Sequence, residues 1–149
     1  DSVVSTIQNE GIILEKLSYQ FANWNRGQAE NKMTQLINRY GTDIELVISN
    51  NDEMALGAAA AYDVLGYPQE SRPVILGIDG LDSALEAVKK GYIQGTVYND
   101  KEGQAGRISG LALDLFRGKV MPDSDFENGR YIFLPYHKVT ADNVDEFLK

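Results

Sequence analysis

The sequence has no cysteine, one histidine and one tryptophan among its 149 residues. The absence of cysteine excludes disulfide bonds and thiol chemistry, and it is compatible with either side of a bacterial membrane. The single histidine, His137, stands alone in the sequence. No paired carboxylate and histidine motif and no glycine-rich phosphate loop is present either. We therefore expect a protein without catalytic activity, without a resident metal ion and without a cofactor.

Positive charge and long apolar runs are also scarce. The chain carries 14 lysine and arginine residues against 22 aspartate and glutamate residues, for a net charge of -8 and a pI of about 4.6. This balance argues against nucleic acid or an anionic membrane as a partner. No segment approaches the length of a membrane span, and Asp1 opens within a helical pattern. We expect no direct membrane insertion and no signal peptide in this sequence.

Strand and helix patterns alternate along the chain, and short loops join them. We predict strands at Ile12–Leu17, Ile44–Ile48, Val74–Ile78 and Tyr92–Tyr98. We predict helices at residues 2–9, from Asn25 to Tyr40, and at Asp52–Leu65, Ser83–Lys90 and Glu102–Arg117. An irregular loop (Met121–Gly129), an extended segment (Tyr131–Pro135) and a short helix capped by Thr140 complete the prediction. Repeated βα units predict an α/β fold with a doubly wound, mostly parallel sheet and helices on both faces.

Polar side chains follow each predicted strand. They are Asn23 with Trp24, then Asn50, Asn51 and Asp52, then Asp79, and finally Asn99 with Asp100. Ligands of parallel α/β sheets bind at the carboxyl ends of the strands. Each Asn or Asp can equally be an ordinary helix cap, and the tryptophan can be a packing residue. An indole among amides and carboxylates nevertheless suits a pyranose, whose apolar face packs on the ring while its hydroxyls form hydrogen bonds.

Several of these stretches carry a resemblance to a known family. The chain resembles the periplasmic galactose/glucose-binding proteins, which are substrate-binding subunits of sugar ABC transporters, some of them also chemoreceptor ligand carriers. The resemblance implies a type I periplasmic-binding-protein fold, whose two lobes close on a sugar. The matching stretches are Ala22–Asn25 with Lys32 and Met33, Ile48–Ala58, Leu76–Gly80 and Gly95–Asp100.

The resemblance also implies a sugar site. Trp24 matches the tryptophan that packs on one face of the sugar ring. Asn51 and Asn99 match asparagines that contact the sugar, and Asp79 matches an aspartate that accepts hydrogen bonds from its hydroxyls. Glu45 matches a calcium ligand, but the calcium loop should lie upstream of this chain, so we expect calcium only in a longer parent. The preferred sugar, glucose or galactose in type, is left open.

About half of the family pattern is absent. Residues 1–99 match the C-terminal lobe without its first strand. Residues 100–135 match a crossover helix and strand that join the N-terminal lobe, and residues 136–149 match a C-terminal helix. The resemblance therefore implies a fragment that binds sugar weakly or not at all. Its exposed apolar face should drive dimerisation. The parent should act outside the cytoplasm, secreted or lipid-anchored, and should deliver its monosaccharide to a membrane permease.

A second function class has the same fold. The effector-binding domain of a sugar-responsive transcriptional repressor shares the Asn-Asp-x-Met-Ala pattern at Asn51–Ala55. The pattern from Asp79 to Val97 resembles the transporter type more, and no DNA-binding helix pair is visible.

Overall fold

The computed structural model describes residues 2–119 and 126–148, and side chains are described from Ser5 onward. Five α-helices lie in these ranges: α1 (Ser2–Asn9), α2 (Arg26–Tyr40), α3 (Asp52–Val64), α4 (Asp82–Lys89) and α5 (Lys101–Phe116). The described strands are β1 (Leu46–Ile48), β2 (Val74–Leu76), β3 (Gly95–Asn99) and β4 (Tyr136–Thr140). Single 3-10 turns lie at Gly41–Asp43, Gln69–Ser71 and Val144–Glu146.

The described strands form one sheet in the order β1-β2-β3-β4. The first three strands run parallel, and β4 runs antiparallel to β3, with Thr140 opposite Gly95 and Tyr136 opposite Asn99. Helices α3 and α4 connect the parallel strands. The α/β prediction is confirmed, and the carboxyl ends of β1, β2 and β3 lie at one edge of the sheet.

The core lies between the sheet and helices α3 and α4. Its largest fully buried apolar side chains are Tyr62, Ile75, Leu85, Val88, Ile93, Val139 and Val144. Helix α2 packs on α3 through Ala29, Met33 and Ile37. The two helices approach so closely at Gly57 that a Cβ there would overlap the carbonyl oxygen of Arg26. This contact fixes the start of α2 beside the first two turns of α3.

The opposite face of the sheet is less covered. Side chains alternate between faces along a strand, so Ile48 and Val74 lie on the face opposite buried Ile75. They remain 46% and 44% exposed. Helix α5 buries none of its side chains. Apolar surface is therefore exposed on this face of the sheet and on α5.

The prediction of a strand at Ile12–Leu17 is wrong. This segment is irregular, and Ile12 and Ile13 are 51% and 95% exposed. An isolated strand leaves its backbone groups without partners, and the segment pairs with no described strand. Its end is fixed instead by the Tyr40 hydroxyl, which donates to the Leu17 carbonyl at 3.0 Å.

The prediction for the end of the chain also needs correction. Tyr136–Thr140 is a strand, and Thr140 begins no α-helix; a 3-10 turn at Val144–Glu146 follows. Residues 136–140 gain backbone partners by pairing with β3, and the apolar residues of the predicted helix, Val144, Phe147 and Leu148, reach the core from a single 3-10 turn and the residues that follow it. His137 lies in β4, with its ring centroid 5.9 Å from that of Phe147. Of the predicted loop Met121–Gly129, residues 121–125 lie outside the described ranges.

Candidate functional site

The turn after β1 combines a helix cap with a buried carboxylate. The Asn51 side-chain oxygen accepts a hydrogen bond from the Met54 N–H at 3.0 Å and caps α3. This cap engages the oxygen, while the Asn51 amino group carries two further N–H donors. The next residue, Asp52, is fully buried. The turn therefore places the Asn51 amide at the sheet edge, while the Asp52 carboxylate points into the protein interior.

The carboxylate of Asp52 joins all three parallel strands. It accepts hydrogen bonds from the Leu81 N–H at 2.8 Å and from the Thr96 hydroxyl at 2.6 Å. The backbone of Gly80 also lies close to it and acts to lower its pKa. Burial raises the pKa of Asp52 above its ordinary value, and the nearby Asp79 charge raises it further, while these hydrogen bonds act in the opposite direction.

Asp79 stands at the carboxyl end of β2 with its backbone in an unusual conformation. Its φ of 127° lies in a region that favours glycine. Its N–H donates to the Val97 carbonyl at 2.9 Å, and its own carbonyl accepts from the Asn99 N–H at 3.0 Å. Burial raises the pKa of the Asp79 carboxyl, and the nearby Asp52 backbone acts in the opposite direction. The side chain is half-buried, and the backbone is tied to the neighbouring strand β3.

The end of β3 supplies Asn99 and Asp100. The Asn99 side-chain oxygen accepts a hydrogen bond from the Gln104 amide. Asp100 caps α5 by accepting from the Gly103 N–H at 2.9 Å. The Lys101 ammonium donates to Asp82 at 2.7 Å, so the start of α5 is tied to the start of α4.

Trp24 lies in the turn before α2. It has a φ of 54°, and the preceding Asn23 has a φ of 50°. The indole is largely exposed, at 62%, so the alternative of a core packing residue is wrong. The Asn25 oxygen caps α2 by accepting from the Gln28 N–H at 2.9 Å. An exposed ring on a left-handed backbone does not serve the local packing.

An ion pair fixes the tryptophan turn to the Asn51 turn. Arg26 donates from Nε to Glu53 at 3.0 Å and from Nη2 at 2.9 Å. Arg26 stands two residues after Trp24, and Glu53 stands two residues after Asn51. Paired forks of this kind orient both partners.

The structure brings three of the four predicted site residues to one edge. Asn51, Asp79 and Asn99 follow neighbouring parallel strands, whose spacing of about 4.8 Å spreads them over roughly 10 Å. The turn that carries the fourth residue, Trp24, is tied to the Asn51 turn through the ion pair of Arg26 and Glu53. Their contact with a sugar stays a prediction.

Backbone strain concentrates in the same place. In the described ranges, four residues other than glycine have positive φ: Asn23, Trp24, Asp79 and Asn128. Three of them belong to the turns just described. Strained backbone persists only where surrounding structure holds it, and it clusters at functional sites.

Comparison with known proteins decides the family. A family model described as a periplasmic binding protein domain matches residues 1–119. The chain belongs to the periplasmic-binding-protein family. The resemblance found in the sequence is thus confirmed at the level of the family, and the architecture is that of the type I fold.

Relatives within the periplasmic-binding-protein family bind different ligands. The D-galactose/methyl-galactoside binding periplasmic protein MglB of Haemophilus influenzae is 35% identical over 150 residues, which cover 99% of this chain and 44% of that protein. The xylitol-binding protein of Mycolicibacterium smegmatis is 33% identical over 132 residues, 89% of this chain and 35% of that protein. An ABC transporter solute binding protein from Bacillus halodurans, solved with bound myo-inositol, gives a TM-score of 0.81 at 32% identity, covering 96% of this chain and 46% of that one.

This periplasmic-binding-protein chain therefore spans less than half the length of each of these relatives. The comparisons do not support the alternative of a transcriptional repressor.

Sequence reasoning missed the residues that organise the site. Asp52 looked like one more capping residue after a strand, because its burial depends on contacts with the distant Thr96 and Leu81. The ion pair of Arg26 and Glu53 spans 27 positions and leaves no local pattern.

The structure gives no support for a calcium site in the described part of the chain. Glu45 is exposed, and no group of three acidic or histidine side chains in residues 2–119 and 126–148 is arranged to hold a metal ion. In the same ranges, no helix has the length and hydropathy needed to cross a membrane.

Proposed function

We propose that this chain binds a monosaccharide as part of the sugar-binding subunit of an ABC transporter. The observation that supports the proposal is the edge where Asn51, Asp79 and Asn99 lie at the carboxyl ends of adjacent parallel strands, with the turn of the exposed Trp24 tied to the Asn51 turn by the ion pair of Arg26 and Glu53. Relatives whose names include galactose, xylitol and myo-inositol all bind small, uncharged, hydroxyl-rich molecules.

Each residue type has a chemical role in this proposal. The apolar face of a pyranose packs on the Trp24 indole. The Asp79 carboxylate accepts hydrogen bonds from sugar hydroxyls, and such charge-assisted bonds are about twice as strong as neutral ones. The amides of Asn51 and Asn99 both donate and accept, which matches hydroxyl groups that do the same. We favour glucose or galactose as the ligand, because an indole face suits a pyranose ring.

We further propose that this chain provides one of two lobes. With less than half the length of its relatives, it leaves one face of the sugar in water. Binding by this chain alone should then be weak, with a dissociation constant on the order of 1 mM or above. In the complete protein the partner is a membrane permease, and the location is outside the cytoplasm. On its own, the chain covers its exposed apolar surface by dimerisation.

A nuclear magnetic resonance titration tests the sugar site in the weak regime. Trp24 is the only tryptophan, so its indole N–H gives a single resonance. Glucose, galactose, xylitol and myo-inositol at up to about 100 mM should shift this resonance and the amides of Asn51, Asp79 and Asn99 together, with galactose or glucose giving the tightest fit.

Two variants and two matched controls sharpen the titration. Trp24→Ala and Asp79→Ala should weaken binding at least about tenfold. Tyr92→Ala removes an exposed ring, and Asp43→Ala removes an exposed carboxylate; both residues precede a strand and lie toward the other edge of the sheet. These controls should bind like the wild type. If no sugar shifts the indole and strand-end amide resonances of the wild-type chain, the proposal is refuted.

A further inference from the structure

We propose that Asp52 is a positioning residue, whose buried carboxylate holds the turn after β2 so that Asp79 keeps its left-handed backbone and presents its carboxylate at the sheet edge. The inference deepens the proposed function and rests on it where sugar affinity is concerned. The claim about backbone geometry stands independently of any ligand.

The Asp52 carboxylate holds the turn that follows Asp79. It accepts a hydrogen bond from the N–H of Leu81, two residues after Asp79. The backbone of Gly80 lies near this carboxylate and acts to lower its pKa, and the backbone of Asp52 has the same effect on the Asp79 carboxyl. Asp52 is thus bonded to the turn that follows Asp79 and lies beside the side chain of Asp79 itself.

A third contact fixes Asp52. The Thr96 hydroxyl in β3 donates to its other oxygen at 2.6 Å, and both residues are buried. Glycine at position 77 leaves room for this arrangement, because a Cβ there would overlap the Asp52 carboxylate oxygen. With no exposed surface, Asp52 acts on a ligand through Asp79 and not by contact.

The conformation of Asp79 requires such a restraint. A side-chain-bearing residue at a φ of 127° is strained and persists only when its surroundings over-determine it. On one side, the backbone of Asp79 pairs with β3. On the other side, the Leu81 amide donates to a buried acceptor, the Asp52 carboxylate. The burial of a carboxylate, whose pKa is raised as a result, is a cost that general stability would not favour.

The experiment uses the 149-residue chain and two substitutions. Asp52→Ala removes every side-chain acceptor. Asp52→Asn is isosteric: its oxygen can accept from the Leu81 amide, and its amino group can donate to the Thr96 oxygen. Val144→Ala, in the 3-10 turn near the end of the chain, is the control for lowered core stability, since Val144 is 2% exposed. Should Asp52→Ala fail to fold, Asp52→Asn carries the test.

Two measurements distinguish a change in the position of Asp79 from a general loss of protein stability. The 13Cα chemical shift of Asp79, which reports its φ and ψ, should move in Asp52→Ala, move less in Asp52→Asn and stay unchanged in Val144→Ala. Sugar affinity, from the Trp24 indole titration, should fall about tenfold in Asp52→Ala and less in Asp52→Asn. It should be unchanged in Val144→Ala.

Two results would overturn the inference about Asp52, and a third would refute only the proposed function. An Asp79 shift that stays in place in both Asp52 variants overturns the inference, as does an affinity loss in Val144→Ala equal to that of Asp52→Ala. Wild-type chain that binds no sugar refutes the proposed function alone, because the Asp79 shift still decides whether Asp52 holds the turn.

Discussion

Arg26 at the start of α2 and Glu53 at the start of α3 form a two-pronged ion pair, with both nitrogen–oxygen distances at or below 3.0 Å. The pair joins the turn that carries Trp24 to the turn that carries Asn51. Its side chains are 43% and 38% exposed, and exposed pairs contribute only about 0.2–1 kcal/mol to stability. Its importance should therefore lie in geometry.

Replacing Arg26 with Met should separate these two roles. The unfolding free energy, from urea titration, should fall by less than about 1 kcal/mol. Sugar affinity should fall several-fold, because the tryptophan turn loses its tie to α3. The matched control is Lys89→Met, which breaks the exposed pair with Asp145 away from the sheet edge and should leave affinity unchanged. Equal affinity in both variants would show that the Arg26 pair does not position Trp24.

Much of the fold could be predicted from the sequence because its signals are local. Asn51 at the cap of α3, Gly41 at the end of α2 and the apolar run of β2 each act over a few residues. The strand at Tyr136–Thr140 escaped prediction because it is formed by pairing with β3, about forty positions earlier in the chain. The segment Ile12–Leu17 has a strand pattern but pairs with no described strand.

The candidate site also has features that the sequence predicts and features that it does not. Trp24, Asn51, Asp79 and Asn99 could be selected from the sequence, because each follows a predicted strand and matches a family pattern. The left-handed backbone of Asp79 carries no such signal, since aspartate is common in ordinary turns.

The backbone conformation of Trp24 should lower the stability of the folded chain, although its indole should contribute to sugar binding. Its φ of 54° disfavours any residue with a Cβ. We expect Trp24→Gly to be about 1 kcal/mol more stable than Trp24→Ala, since glycine adopts this conformation without strain. Both variants should lose sugar affinity. Urea denaturation measures the first effect, and the amide shifts of Asn51, Asp79 and Asn99 during a sugar titration measure the second. An alanine variant as stable as the glycine variant would argue against strain at this turn.

Gly57 should tolerate no side chain. A Cβ there would overlap the Arg26 carbonyl and lie 2.9 Å from the Ala29 Cβ, so Gly57→Ala should separate α2 from α3 and lower the unfolding free energy by about 1–3 kcal/mol. Gly106→Ala is the matched control in α5, where no heavy atom lies within 4 Å. It should add helicity and about 0.5–1 kcal/mol to the helix. Circular dichroism during urea unfolding measures both, and a neutral Gly57→Ala would contradict the close approach.

The raised pKa of Asp52 predicts a specific pH dependence. An acid whose pKa is higher in the folded than in the unfolded chain holds more protons when folded, between those two values. Its contribution to stability therefore falls as the pH rises from 3.8, its ordinary value, through the raised value. The Asp52→Asn variant has no carboxyl at this position and therefore lacks this pH-dependent contribution to stability. The unfolding free energy of the wild type minus that of Asp52→Asn should decrease across this range, and a difference that grows with pH would contradict the assignment.

Dimerisation should depend on the exposed apolar side chains of α5 and the segment after residue 126. Ile108 and Phe133 are each 69% exposed, and both line a groove between these elements. Exposed apolar surface of this kind favours self-association. Sedimentation velocity at increasing concentration should show a dimer in the wild type and a monomer in Ile108→Gln/Phe133→Gln. Val64→Gln changes a residue of α3 that is 70% exposed and should leave the dimer intact. A wild-type chain that sediments as a compact monomer at every concentration would show that this surface does not pair.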